Sequence, residues 1–279
     1  LAGRRLRPKG RQTGAAGRAD DAADGVPGDQ IRRGRRSAGA LLVFLLAWAA
    51  TAQAGLLTGR APATTGLLLV FDAATGPPPA YERYFRVPEY TAPVGEDATF
   101  RITLPAGRYY LGLYRSATGA PPPPRTGDTL CRFEDIAGDP AVFTVPEDGT
   151  VEVRMVPACA TFRFPSLDTI LTAATDPARL PPDVTVGQVY TGIAGTVADG
   201  DGNPVAGVLV FARDTNRGAR FVSRPSDALG RYVVLTDRGG TYHLQAAGGA
   251  FATAEPVSVD TDAITSGIEL TPAVRAGNP

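Results

Sequence analysis

Turn residues constrain this chain more than anything else in it. Glycine (33) and proline (25) are scattered through 279 residues, and beyond residue 60 they cut the sequence into runs too short for a long amphipathic helix. Within those runs apolar side chains recur with a period of two. Phe100, Ile102 and Leu104 alternate with Arg101 and Thr103. After Pro105, Ala106 and Gly107 the pattern resumes, with Tyr109, Leu111 and Leu113 on one face and Arg108, Tyr110 and Tyr114 on the other. Such alternation marks half-buried strands, and the two runs are expected to pair as a hairpin. A second hairpin is expected where residues 142–145 and 151–155 flank the turn PEDG. Short strands separated by Gly/Pro turns call for two packed sheets, so the expected fold is all-β, with two tandem antiparallel β-sandwich domains.

The N-terminus follows another logic. Residues 31–37, IRRGRRS, precede the apolar run AGALLVFLLAWAA and the small residues Ala52, Gln53 and Ala54. That order is the order of a secretory signal peptide over residues 31–54, cleaved near Ala54. The apolar run is shorter than the roughly 20 residues a spanning helix needs, so membrane attachment through an uncleaved signal is the weaker reading. Paired arginines at 32–33 and 35–36 lack the Phe-Leu-Lys continuation of a twin-arginine signal. Residues 1–30 read as disordered or as wrongly included, since a start at Val26 gives a leader of 29 residues. Residues 60–159 then form the first sandwich. Residues 160–190 are a linker or packing segment, with 166–175 as one or two helical turns, and 191–272 form the second sandwich.

Export sets charge and redox state. Residues 1–54 hold 10 of 28 basic and 4 of 28 acidic groups, which leaves 18 against 24 and a net charge of −6. A mildly acidic surface argues against nucleic acid and against anionic membranes. In an oxidising compartment Cys131 and Cys159 are expected to form a disulfide, the alternative being two buried thiols. Lys9 is the only lysine and lies in the leader, so the exported chain cannot form the Lys-to-Asn or Lys-to-Asp isopeptide bonds of some surface sandwiches.

Three segments recur in order. GLLLVFD at 66–72 resembles GVLVFARD at 207–214, FRITLPAGRYYLGL at 100–113 resembles YVVLTDRGGTYHLQA at 232–246, and VFTVPEDGTVEV at 142–153 corresponds to PVSVDTDAITSGIEL at 256–270. A duplicated module accounts for this. The second copy carries Gly195, Val197 and Asp199; Gly202, Pro204, Val205 and Gly207; Ser226, Asp227, Gly230 and Tyr232; and Gly240, Tyr242 and Leu244. In that order and spacing residues 192–271 resemble the carboxypeptidase regulatory-like domain, a prealbumin-like β-sandwich. The first copy shares only the later strands. The resemblance implies an accessory module and brings no catalytic residue with it.

The chemistry on offer is sparse. His243 is the only histidine, and its place between Tyr242 and Leu244 turns it away from the core. No nucleophile turn surrounds it, and no cofactor is expected. Glu134/Asp135 and Glu147/Asp148 sit in turn-like segments. In DGDGN, Asp199, Asp201 and Asn203 have the alternation of calcium ligands, but the distal acid of such a loop would fall at Val210, so the metal reading is weak. The turn reading gives Gly200 and Gly202 the tight backbone and Asp199 and Asn203 the local amides. Tyr81, Tyr84, Phe85 and Tyr90, with Tyr110 and Tyr114 on an outward face beside Arg108, make either a ligand surface or the seam between the two domains. Two functions follow: an exported, non-enzymatic structural or protein-interaction role in a bacterial envelope, periplasmic, surface-bound or released, or carbohydrate binding by that aromatic face. The expected partner is a protein or an envelope polysaccharide.

Overall fold

The computed structural model describes residues 54–80, 84–163, 166–175 and 190–273, all within a compact unit spanning Ala50–Pro279. The signal-peptide run lies outside the described residues, as do Tyr81 and Arg83.

Nine strands build the first repeat: β1 (Ala54–Arg60), β2 (Leu67–Asp72), β3 (Tyr90–Pro93), β4 (Thr99–Pro105), β5 (Gly107–Arg115), β6 (Thr129–Arg132), β7 (Val142–Val145), β8 (Thr150–Val153) and β9 (Ala158–Thr161). A helix, α1 (Leu167–Thr175), follows. The second repeat contains β10 (Thr191–Val197), β11 (Val210–Asp214), β12 (Arg220–Val222), β13 (Arg231–Thr236), β14 (Gly240–Ala246), β15 (Phe251–Ala252), β16 (Val257–Val259) and β17 (Ile264–Pro272).

The pairings make the duplication explicit. The opening strand, β1 or β10, runs antiparallel to the fourth strand, β4 or β13, and parallel to the eighth, β8 or β17. The second strand, β2 or β11, lies between the third, β3 or β12, and the fifth, β5 or β14. The fifth strand also pairs with the sixth and seventh in each copy. Each sandwich is therefore antiparallel apart from one parallel pair.

Neither expected hairpin forms. β4 pairs with β1 while β5 pairs with β2, β6 and β7, so the two strands belong to different sheets; β7 and β8 are divided in the same way. Period-two alternation reports a buried face and is blind to whether the next strand lies beside it or across the core. The turn chemistry decides. At the β4–β5 corner the Tyr109 hydroxyl donates to the Pro105 carbonyl at 2.9 Å, and at the β13–β14 corner the Tyr242 hydroxyl donates to the Arg238 carbonyl at 2.8 Å. In both copies a tyrosine two residues after glycine plugs the bend.

The first repeat also begins before the boundary at residue 60. β1 starts at Ala54 and buries Leu57 completely. It corresponds to the opening strand β10, which the sequence shows clearly only in the second copy.

Burial explains the run LLLVF. Leu68 and Val70 enter the first core with Phe100, Tyr109 and Leu111. Leu69 and Phe71 face the other way, into a cluster with Tyr114, Leu130, Phe162 and the second repeat's Val222. A strand buried on both faces has no polar alternation to display. The helix α1 buries Ile170 fully in the second core, with Leu167 and Leu171 beside it. The i, i+3, i+4 spacing of these three puts them on one face, and the Ser166 hydroxyl caps the helix by accepting from the Thr169 amide at 3.0 Å.

Four loops share one backbone design. In Asp135–Asp139, Asp199–Asn203, Asp227–Arg231 and Gly95–Thr99 the first amide donates to the fifth carbonyl and the fourth amide to the first carbonyl. The fourth residue has φ of 84°, 82° and 69° at Gly138, Gly202 and Gly230, and 60° at Ala98. A side chain costs roughly 1–2 kcal/mol in that region, partly offset by the extra freedom glycine brings to the unfolded chain, about 0.4–1 kcal/mol. Ala98→Gly is therefore expected to stabilise the protein by about 0.5–1 kcal/mol, read as a higher urea midpoint at unchanged slope. Gly200 has no counterpart among the other three loops, where Ile136, Ala228 and Glu96 stand; only Gly202 is required by the turn.

Candidate functional site

The aromatic surface of the sequence reading is a junction in the structure. Tyr114 and Phe85 are buried in one cluster, at 3 and 4% exposure, with Tyr110 half-buried against it, and Tyr84, at 8%, is buried in the second core. Tyr110 and Tyr114 do lie on the opposite face of β5 from Tyr109, but β11 and β12 of the second repeat cover that face. Tyr114 is fixed further by donating to Asp128 at 2.8 Å. Burial pushes the Asp128 carboxyl up, yet the amides of Arg125 and Ala117 and the Tyr114 hydroxyl together hold it below the usual carboxylate range. Arg108 remains exposed, and Tyr90, 37% exposed, stacks edge-on against Tyr109.

The seam is continuous backbone pairing as well as packing. Val87 donates to the Arg220 carbonyl at 2.7 Å and Val222 to the Phe85 carbonyl at 3.2 Å, so residues 85–87 extend the second repeat past its edge strand β12. Between these bonds Arg86 is 1% exposed. Its guanidinium donates to both Glu89 oxygens at 2.9 and 3.0 Å and to the carbonyls of Asp72 and Pro77, and it lies 5.4 Å from the Phe71 ring centre. Arg217, from the second repeat, grips both oxygens of Asp237 and one of Asp214 at 2.8–2.9 Å and reaches back to the Thr75 carbonyl at 3.1 Å. Tyr84 packs edge-on to Phe221, and burial, then Asp237, pushes its hydroxyl up to about 12.

Asp199 is a turn residue here. Its Oδ1 accepts from the amides of Asp201 and Asn203 at 3.0 and 2.8 Å, and its Oδ2 accepts from the Asn203 side chain at 3.2 Å. The Asn203 amide leads the contacts that hold this carboxyl low. Asp135 and Asp227 accept from the equivalent amides in loops that lack Asp201 and Asn203. What the three loops share is the turn. His243 is exposed on β14, opposite Arg213. Glu134 is engaged by Arg132, while Glu147 and Asp148 are exposed.

Cys131 and Cys159 form a disulfide, directly opposite each other on β6 and β9. β9 is exposed along its length, so the bond ties an edge strand with little burial of its own. Closing a 28-residue separation corresponds to about 3–4 kcal/mol of chain entropy. Reduction is expected to lower the urea midpoint accordingly, with amide exchange rising first in β9.

Beside this edge the two repeats differ. Four residues separate Val153, opposite Gly59, from Ala158, opposite Arg132. The matching residues Ile268, opposite Gly195, and Thr271, opposite Ala252, are separated by two. Pro62 occupies the place of Ala198, whose amide donates to Leu270 at 3.0 Å; proline has no such donor. The strand continuous in β17 is consequently broken between β8 and β9. Met155 and Val156 are extruded, at 37 and 86% exposure, and a groove of about 770 Å³ opens between them and Arg60, Thr99 and Arg101.

The motif glycine Gly195 lies opposite Tyr232, with the Ile268 carbonyl so close that a Cβ would meet it at 1.6 Å. Ser226 is buried, accepting from the Val208 amide and donating to the Val205 carbonyl. Each motif residue thus has a place in this fold. Residues 192–271 match the carboxypeptidase regulatory-like domain.

No curated protein matches the chain. Among solved structures, the Bacillus anthracis TIE protein aligns at 9% identity over 78% of this chain and 33% of its own, with a TM-score of 0.21. The minor pilin GBS52 of Streptococcus agalactiae aligns at 11% over 81% and 99%, with 0.23, and the shaft pilin SpaA of Lactobacillus rhamnosus GG at 11% over 79% and 98%, with 0.22. The chain spans about a third of the first of these. The carboxypeptidase regulatory-like repeat is assigned from its own motif and fold, not from these three. The first repeat shares its strand pairings outside the matched region.

Proposed function

We propose that this is an exported, non-enzymatic protein that serves a structural or protein-interaction role at or near the cell surface. The observation that carries the reading is the seam. Residues 85–87 of the first repeat hydrogen-bond to β12 of the second around the buried Arg86, so two modules act as one rigid body. The acid-rich loops support it, because Asp135, Asp199 and Asp227 each hold a turn, as does the disulfide that suits an oxidising compartment.

Fractionation of the native organism with thiol trapping tests the proposal. The chain is expected outside the cytoplasmic membrane with Cys131 and Cys159 bonded to each other. A folded cytosolic pool with both thiols free would sink it. Retention on envelope polysaccharide that disappears with Tyr90→Ala would favour the carbohydrate alternative instead.

A further inference from the structure

We propose that the β8 edge pairs with the same edge of a second copy, antiparallel and across a two-fold axis. β8 is the terminal strand of the sheet β4-β1-β8. Leu56 donates to the Gly149 carbonyl at 2.9 Å, and Leu56 and Thr58 stand opposite Thr150 and Glu152 in a parallel register. In such a register the amides and carbonyls of Gly149, Val151 and Val153 address β1, and those of Thr150 and Glu152 point away from the sheet. They form an open ladder.

Backbone parity admits only registers that pair outward-facing residues with each other. Of these, the register centred on Glu152 sets two carboxylates face to face. The register centred on Val153 sets each Glu152 opposite the other copy's Arg154, twice by symmetry, with Val151 opposite Met155 and Thr150 opposite Val156. Opposite charges across a strand pair stabilise it and like charges oppose it, so the sequence TVEVRMV is complementary to itself in one register. An isologous contact of this kind closes at two copies.

Two further observations favour a second copy as the occupant. Glu152 and Arg154 are 58 and 83% exposed and now bond to each other at 2.6–2.8 Å, so both are free to exchange partners at little desolvation cost. Met155 and Val156, extruded by the two extra residues, gain apolar cover in this register. The other open edges of the first repeat, β3, β4, β7 and β9, carry no charge apart from Arg101 and have no such complementarity.

Sedimentation velocity of the full chain tests the pairing. The wild type is expected to form dimers. Glu152→Arg and Arg154→Glu should each weaken them roughly 10–100-fold, since each converts two attractive pairs to repulsive ones, and the double exchange should restore them. Thr150→Pro removes an amide that faces away from β1, and is expected to give a monomer with an unchanged melt. A wild-type monomer at the highest soluble concentration overturns the proposal, as does a dimer indifferent to both single exchanges. Either result leaves the envelope role untouched, because that role rests on the seam and on export.

Discussion

Gly195→Ala is expected to abolish folding of the second repeat. A Cβ at residue 195 would lie 1.6 Å from the Ile268 carbonyl oxygen and 2.6 Å from its carbon, with the Tyr232 hydroxyl at 3.0 Å. The obstructing atoms are backbone of β17, the parallel neighbour of β10. No rotamer change relieves that contact. β10 and β17 would have to separate, and with them the pairing that buries Ile193, Val197 and Leu270, all fully buried. Loss of these three side chains' burial alone amounts to about 5–9 kcal/mol, comparable with the whole stability of an ordinary domain. Circular dichroism and limited proteolysis check the result: β10 to β17 should become protease-sensitive. A variant that melts within a degree of the wild type would show that the sheet adjusts.

The second large effect belongs to Arg86→Ala. Removing the side chain leaves Glu89 half-buried without its cation, the Gly76 and Pro77 carbonyls without their donor, and the Asp72 carbonyl with only the Thr75 hydroxyl. Breaking a buried pair by removing one partner costs roughly 3–5 kcal/mol. The loss falls on the segment that carries Phe85 and Val87 into the seam, so the second repeat loses its added strand as well. In urea the variant is expected to unfold with a lower midpoint and a broadened transition, as the repeats begin to open separately. Arg217→Ala should act in the same direction from the other side of the junction, through Thr75 and Asp237. An Arg86→Ala chain with the wild-type midpoint would mean that the guanidinium merely fills space.

Much of this architecture was legible in the sequence, and the failures have physical causes. The duplication showed because the two cores demand the same pattern, so GLLLVFD and GVLVFARD, FRITL and YVVLT, and the G-x-Y corners recur. The corners themselves were misread as hairpins because alternation records a face and not a partner. Tyr109 and Tyr242 carried the missing signal, a tyrosine two residues after glycine whose hydroxyl returns to the carbonyl four residues back. β1 was hidden by its place directly after the apolar leader. Among the candidate residues, the disulfide followed from compartment and count, and the face assignments of Tyr110 and Tyr114 were correct as geometry. Their outward face became an interior one only because a second module sits on it, which is information no single strand contains. Asp199 was ambiguous for a related reason. A carboxylate that collects amides and one that collects a cation have the same spacing, and the loops at Asp135 and Asp227 show the same amide contacts made without Asp201 or Asn203.

Central to the proposed role is that the two repeats behave as one body through the seam. Native-state hydrogen exchange across a urea series measures this directly, through the opening free energies of the amides in β5, in the first core, and in β14, in the second. The expected result is that the slowest amides of both strands converge on one global opening free energy with the same urea dependence. Distinct free energies for β5 and β14, each with its own slope, would contradict it and would mean two modules joined only by the chain.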